Sequence, residues 1–294
     1  MIKAEENAVV ELFMSGVRGR LKANSALLLL LLLLLLAWVT VMSATSPPPT
    51  SADWESRLQF WRVTQLTAAG RCVIHDCSEL ASLGAGASGR YTMLLAPGEE
   101  PVQVYCDMET AGGGWTVFQR RQDDPEQLDF YRDWQSYRDG FGNVSGQFWL
   151  GNELLHRLTA RRPQELRIDL EDFEGGHRFA QYGSFSVSDE ADQYRLQLSD
   201  FSGDAGHSMP RQNGQQFSTR DRDNDAHSNS CARTYKGAWW YEQCHDSNLN
   251  GLYLRGSHPD GQYGGMVTWK FWKGQRYSLK FTEMKTRPAG YAPL

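Results

Sequence analysis

The sequence carries no excess of positive charge: 30 lysines and arginines stand against 35 aspartates and glutamates, a formal net charge of −5. That balance argues against a nucleic acid or an anionic membrane as a partner held by bulk charge. Collagen-like Gly-X-Y repeats are missing, and the amphipathic stretch over Asp53 to Leu66 (Trp54, Leu58, Trp61, Leu66) is too short for a coiled coil. A multimerising stalk is therefore not in view. Gly112-Gly113-Gly114 lacks a following Gly-Lys-Ser/Thr, which excludes a phosphate-binding loop and leaves a tight turn. No separate His and Cys cluster has metal-site spacing, and the acids Asp169, Glu171 and Asp172 fall in a strand-and-turn run that needs no catalytic explanation. An enzyme is not indicated.

Ten tryptophans and 12% aromatic residues are enough for a substantial core, and 28 glycines with many polar turns point to a loop-rich fold. Ten consecutive leucines, Leu27 to Leu36, follow Arg18, Arg20 and Lys22 and precede small residues ending at Ala44. This reads as a secretory signal over residues 1–44, with a retained type II anchor as the alternative. Residues 45–70, opening with Pro47-Pro48-Pro49, form an extended linker with a short helix. Residues 71–290 form the globular domain. Short alternating runs, Tyr91 to Leu95, Val102 to Cys106, Leu166 to Leu170 and Phe185 to Val187, are predicted strands, and Gly151 to Leu158 a helix capped by Asn152. Asn143-Val144-Ser145 is a glycosylation acceptor in a secreted chain.

The segment Asp221 to His245, DRDNDAHSNSCARTYKGAWWYEQCH, is the densest in chemistry. Asp221, Asp223 and Asp225 alternate as hard oxygen ligands for Ca²⁺ would, and the same spacing fits a solvated acidic loop. It is no EF-hand: Ala226 and Ala232 stand where that loop needs Gly and Glu. Backbone carbonyls before Cys231 would have to complete the sphere. Cys244-His245 has the composition of a nucleophile pair, but a disulfide-bonded sulfur is no nucleophile.

DNDAHSNSCA and KGAWWYEQCHDSNLNGLYLRG resemble the second half of a fibrinogen-related domain, and are similar to the ficolin and tachylectin-5 lectins, including arthropod ixoderins. Upstream, Asp76 to Leu80, YCDMETAGGGWTVFQRR, FYRDW, QFWLGNE and LRIDLEDFEG follow in the expected order, and EMKTRP closes the match. The resemblance implies an α+β fibrinogen C-terminal-like domain with a small N-terminal subdomain, a central mixed sheet and a loop-rich calcium and ligand subdomain. It implies the disulfides Cys77–Cys106 and Cys231–Cys244, leaving Cys72 for an intermolecular bridge between copies. It places Ca²⁺ on Asp223, Asp225 and the carbonyls of His227 and Asn229. It places an acetyl-group pocket on Arg211, Tyr235, Cys244, His245, Tyr263 and Gly264, with a cis peptide between Gln243 and Cys244. Gln275 stands where the lectins have a further tyrosine, a role Tyr277 is expected to share. The implied function is a secreted calcium-dependent lectin for acetylated glycans on microbial surfaces. The alternative is a fibrinogen-like protein-interaction module without that pocket.

Overall fold

The computed structural model describes residues 73–96, 98–261 and 263–292. The expected signal segment, the linker with its helix, and Cys72 lie outside the described residues. Among the described residues Asp76 opens the first helix, α1 (Cys77–Ser82), by accepting from the Ser78 and Glu79 amides. There follow strands β1 (Gly89–Met93), β2 (Val102–Asp107) and β3 (Trp115–Arg121), helix α2 (Trp134–Asp139), the short pair β4 (Phe141–Gly142) and β5 (Phe148–Trp149), and helix α3 (Asn152–Arg161). Strands β6 (Gln164–Glu171), β7 (His177–Val187) and β8 (Leu196–Gly203) precede a long excursion. That excursion holds α4 (Cys231–Tyr235), β9 (Ser247–Asn248), β10 (Gly256–Ser257), β11 (Thr268–Trp269), α5 (Lys270–Lys273) and β12 (Tyr277–Ser278), and the chain returns as β13 (Phe281–Pro288).

The main sheet runs β1-β2-β3-β13-β6-β7-β8, with β5 on β3 and β4 on β5. All its pairings are antiparallel. The last strand lies in the middle, between β3 and β6, so the sheet is complete only when the whole excursion has been closed off. Every residue of β3 is buried, as a central strand requires. The four predicted strands fall on β1, β2, β6 and β7. β7 starts at His177, earlier than the alternation shows, because His177, Arg178, Gly183 and Ser184 are exposed and break the period-two pattern. The triple glycine is the expected turn: Gly113 has φ +73°, and a Cβ there would lie 2.3 Å from the Met108 carbonyl oxygen.

One capping assignment is corrected. Gly151, with φ +111°, is the residue preceding α3, and no side chain caps the helix. Asn152 is buried instead, its Oδ1 accepting the Trp149 indole N–H at 3.0 Å. That indole belongs to an aromatic knot. Trp149 packs on Tyr137, Phe217 and Trp240 with ring centroids 5.6, 5.8 and 6.1 Å apart. Such pairs add about 0.5–1.5 kcal/mol each beyond area burial.

The sheet is also pinned by one buried cation. Lys285 on β13, 2% exposed, places Nζ 2.5 Å from Asp107, 2.6 Å from Asp169 and 3.1 Å from Glu283, joining β2, β6 and β13. Burial alone would raise the Asp107 carboxyl, yet Lys285 holds it well below the usual carboxylate range. Lys285→Met leaves three acids around a vacated charge, and urea unfolding is expected to show a loss of about 3–5 kcal/mol. A loss below about 1 kcal/mol, the worth of a surface ion pair, would contradict this role.

Candidate functional site

The excursion between β8 and β13 is organised by the Cys231–Cys244 disulfide, whose Cα atoms lie 5.6 Å apart. The second bridge, Cys77–Cys106, ties α1 to β2. Ahead of Cys231, the Asp225 carboxylate accepts from the His227 amide at 2.9 Å and the Cys231 amide at 2.8 Å, drawing the acidic loop onto α4. The cis Gln243–Cys244 peptide leads into Cys244 and then His245. Trp239, Trp240 and Tyr241 in between are fully buried and anchor the loop in the core.

Two of the predicted pocket residues meet directly. The Tyr235 and His245 rings stand edge to face with centroids 4.6 Å apart, and Tyr241 lies 5.7 Å from His245 on another side. Gly264 completes the slot. A Cβ there would fall 3.1 Å from Tyr235 Cε1, 3.1 Å from His245 Cε1 and 2.6 Å from Gln275 Oε1, and φ is +74°. Asn248, fully buried, fixes both walls: its Nδ2 donates to the Tyr235 and Gly264 carbonyls at 3.2 and 3.1 Å, and its Oδ1 accepts the Tyr241 hydroxyl at 2.7 Å. Sequence reasoning did not single out Asn248, although it lies in the quoted run HDSNLNG.

His245 is 6% exposed, and among the described residues neither ring nitrogen has a hydrogen-bond partner. Burial pushes its imidazole down to about 3, against the upward pull of Asp246 and with Arg211 acting in the same downward direction; the Gly264 backbone also pulls upward, from a position too poorly aligned to make a hydrogen bond. The ring is therefore neutral at physiological pH, with one nitrogen a donor and the other an acceptor.

Tyr263 stands at the edge, 52% exposed, with the Arg276 guanidinium 5.5 Å over its ring. Arg211 lies on the rim, bound to Glu242 at 3.2 Å and facing Asp246 at 3.7 Å, while Lys270 takes the other Asp246 oxygen at 2.7 Å. Gln275 is buried. Its Nε2 donates to the His245 carbonyl at 3.0 Å, and its own carbonyl receives the Gly264 amide at 2.8 Å. The expected contribution of Tyr277 is corrected: its hydroxyl donates to Glu174 at 2.7 Å and accepts the Phe173 amide at 2.8 Å, so it is committed away from the slot.

The acidic loop divides by role. Asp221 accepts from the Trp134 amide at 2.9 Å and the Thr219 hydroxyl at 2.7 Å, so this member of the alternating triplet tethers the loop to the start of α2. Asp223 and Asp225 are left facing one another. Burial first, then the neighbouring Asp223, raises the Asp225 carboxyl to about 6. His227 Nδ1 lies 2.9 Å from the Asn229 carbonyl oxygen and 3.0 Å from the Asn229 amide nitrogen, donating to the first or accepting from the second according to its tautomer. Two acidic side chains and nearby carbonyls suit a hard cation. Among the described residues no three His, Cys, Asp or Glu side chains form a metal cage, so a cation would depend on those carbonyls.

The family described as fibrinogen beta and gamma chains, C-terminal globular domain, matches residues 73–289. The chain belongs to the fibrinogen C-terminal domain family. Fibrinogen C domain-containing protein 1 of Homo sapiens is 50% identical over 217 residues, and that of Mus musculus 49%; each match covers 72% of this chain and 46% of the relative. The chain thus spans about half the length of these relatives. The fibrinogen-like globe domain of human ANGPTL6 matches with TM-score 0.69 and 42% identity over 74% of this chain and 96% of that one. Lamprey fibrin D-dimer, solved with the peptide Gly-His-Arg-Pro-amide, matches with TM-score 0.68 and 32% identity over 99% of this chain and 91% of that one. The fibrinogen-like fold inferred from the motifs is thereby established, and domains of this family are non-enzymatic. These relatives are fibrinogen C domain-containing, ANGPTL and fibrin proteins, not specifically ficolin or tachylectin-5 lectins.

The buried, unprotonated His245 has a measurable signature. Unfolded, it takes up a proton near its ordinary value of 6.5; folded, it resists until about 3. Its share of stability is thus complete above about 6.5 and is lost as pH falls toward about 3. His245→Phe is expected to flatten the dependence of unfolding free energy on pH across that window by up to about 1.4 kcal/mol per pH unit. Equal slopes in the two proteins would contradict the burial of a neutral ring.

Proposed function

We propose that the domain is a secreted lectin, supported by Ca²⁺, that takes the acetyl group of an N-acetylated glycan into the slot of Tyr235, His245 and Gly264. One observation carries this reading: a buried imidazole with two unpartnered nitrogens in an aromatic slot that admits no Cβ at position 264. Leaving a buried polar group unmet costs about 1–3 kcal/mol, and a ligand oxygen or amide meeting the ring relieves it. A methyl group suits the aromatic walls, and a few fixed polar groups set orientation. Arg211, Tyr263 and the Cys244 backbone complete the rim of this reading.

Calcium is proposed to sit on Asp223 and Asp225 with the His227 and Asn229 carbonyls. Its charge would remove the repulsion between the two carboxylates and hold the loop that precedes Cys231. Gln275 brings an amide to the slot edge in place of a phenol ring, which favours an acetylated ligand with an added hydroxyl or amide over plain N-acetylglucosamine. The reading extends to microbial glycans as targets, to a glycan on the exposed Asn143 and to pairing of two copies through Cys72.

A second reading is a protein-interaction module that uses the same face. The rim ion pairs of Arg211 with Glu242 and Asp246 favour it, because they occupy groups a sugar would otherwise meet. Lamprey fibrin, of the same fold, was solved with a bound peptide.

Titration of the calcium-loaded protein with N-acetylglucosamine and glucosamine separates the two. Saturable binding of the acetylated sugar alone, lost in His245→Ala and weakened in Asp223→Ala with Asp225→Ala, is the expected outcome. Indifference to acetylation would favour the protein partner. In the same preparations calcium should raise the melting temperature of the wild type and not of the double aspartate variant, since binding to the folded state alone supplies that shift.

A further inference from the structure

On the far side of the α4 terminus, beyond Lys236, a cavity of about 180 Å³ is lined by Arg121, Gln127, Phe130, Tyr131, Lys236 and Tyr253 among others. Arg121 is 1% exposed, its guanidinium 3.9 Å from the centre of the Phe130 ring. Its Nε donates to Gln147 Oε1 at 3.5 Å, and its Nη1 to the Leu249 and Gly251 carbonyls at 3.2 and 2.7 Å. A guanidinium has five N–H groups. The two on Nη2 take no part in these bonds, and every acceptor is neutral.

Burial lowers the Arg121 guanidinium to about 10, so it is charged at neutral pH. Among the described residues no carboxylate lies within ion-pair distance of it, the Asp129 charge acting on it only from further off, and a buried cation so weakly paired is costly. Lys236 stands at the mouth, 5.3 Å over the Tyr131 ring, and likewise pairs with no carboxylate among the described residues. The acid on this lining, Asp129, is exposed and accepts the Tyr131 amide at 2.8 Å. Gln127 donates through Nε2 to the Gln122 and Asp124 carbonyls, and its buried Oε1 has no donor. The cavity thus offers two open N–H donors, an ammonium, an acceptor lacking its donor, and aromatic sides.

We propose that this cavity is a second ligand subsite, taking a carboxylate with a neighbouring hydroxyl such as a uronic acid unit of a glycan. The carboxylate meets Arg121 Nη2 and Lys236, the hydroxyl donates to Gln127 Oε1, and the ring lies against Phe130 and Tyr253. A volume below the roughly 300–1,000 Å³ of drug-sized pockets limits the ligand to about one ring. The subsite uses neither calcium nor the His245 slot, so it stands or falls separately from the acetyl reading.

The test is isothermal titration of the secreted chain, stripped of calcium, with sodium D-glucuronate, D-glucose and sodium sulfate. Glucuronate is expected to saturate one site, glucose to give no heat of binding, and N-acetylglucosamine to leave the glucuronate isotherm unchanged. Lys236→Met and Gln127→Leu, both at the cavity wall and away from the aromatic knot, should each weaken glucuronate about tenfold with the melting temperature retained. No saturable glucuronate binding, glucose binding as tightly, displacement by N-acetylglucosamine or unchanged affinity in both variants would overturn the proposal. Competition by sulfate at equal concentration would overturn the carboxylate-and-hydroxyl assignment in favour of a general anion site.

Discussion

A single covalent tie, Cys231 to Cys244, holds together loop segments whose regular support is the short helix α4. Before it lies the acidic loop, after it the imidazole, and between its ends the tryptophans that root both in the core. Closing a loop of this length removes on the order of 3 kcal/mol of freedom from the unfolded chain. Local hydrogen bonds then do the placing: Asp225 binds the Cys231 amide, and Asn248 binds both Tyr235 and Gly264. Asn248 braces the Tyr235 and Gly264 backbone, and Gln275 braces that of His245.

The sheet supplies the fixed base. Its last strand, β13, enters between β3 and β6, so the excursion carrying the site starts and ends on the same rigid body. Lys285 and its three acids lock that insertion from one side, and Thr282 on the same strand donates to Gln119 at 3.0 Å. Gln119 in turn donates to the Leu249 carbonyl at 3.1 Å, which carries the order of the sheet into the loop that bears Asn248. Arg121, two residues on, reaches the same Leu249 carbonyl and ends at the second cavity. One strand therefore supports both candidate sites.

Much of this could be read from motifs and little from periodicity. Runs such as YCDMETAGGGWTVFQRR and KGAWWYEQCHDSNLNGLYLRG identify the fold, because many of them recur in order. The alternation in β7 is masked by its exposed end, and α4 is too short to show a helical period. Roles set by tertiary contact were not legible. Asp221 looks like a calcium ligand by spacing yet holds α2; Asn152 looks like a cap yet binds Trp149; Tyr277 looks available yet its hydroxyl is spent on Glu174. In each case a polar atom is claimed by a donor or acceptor distant in sequence. Gln275 shows the reverse, a departure visible in the sequence whose meaning, an amide braced on the His245 carbonyl, needed the structure.

The central claim is that an acetyl methyl enters the slot bounded by Tyr235, His245 and Gly264. Saturation-transfer NMR on the calcium-loaded protein with an N-acetylated sugar reads this directly, because it reports which ligand protons lie against the protein. The acetyl methyl is expected to receive the strongest saturation, well above the sugar ring protons. Uniform saturation across the ring with a weak methyl signal would place the ligand outside this slot.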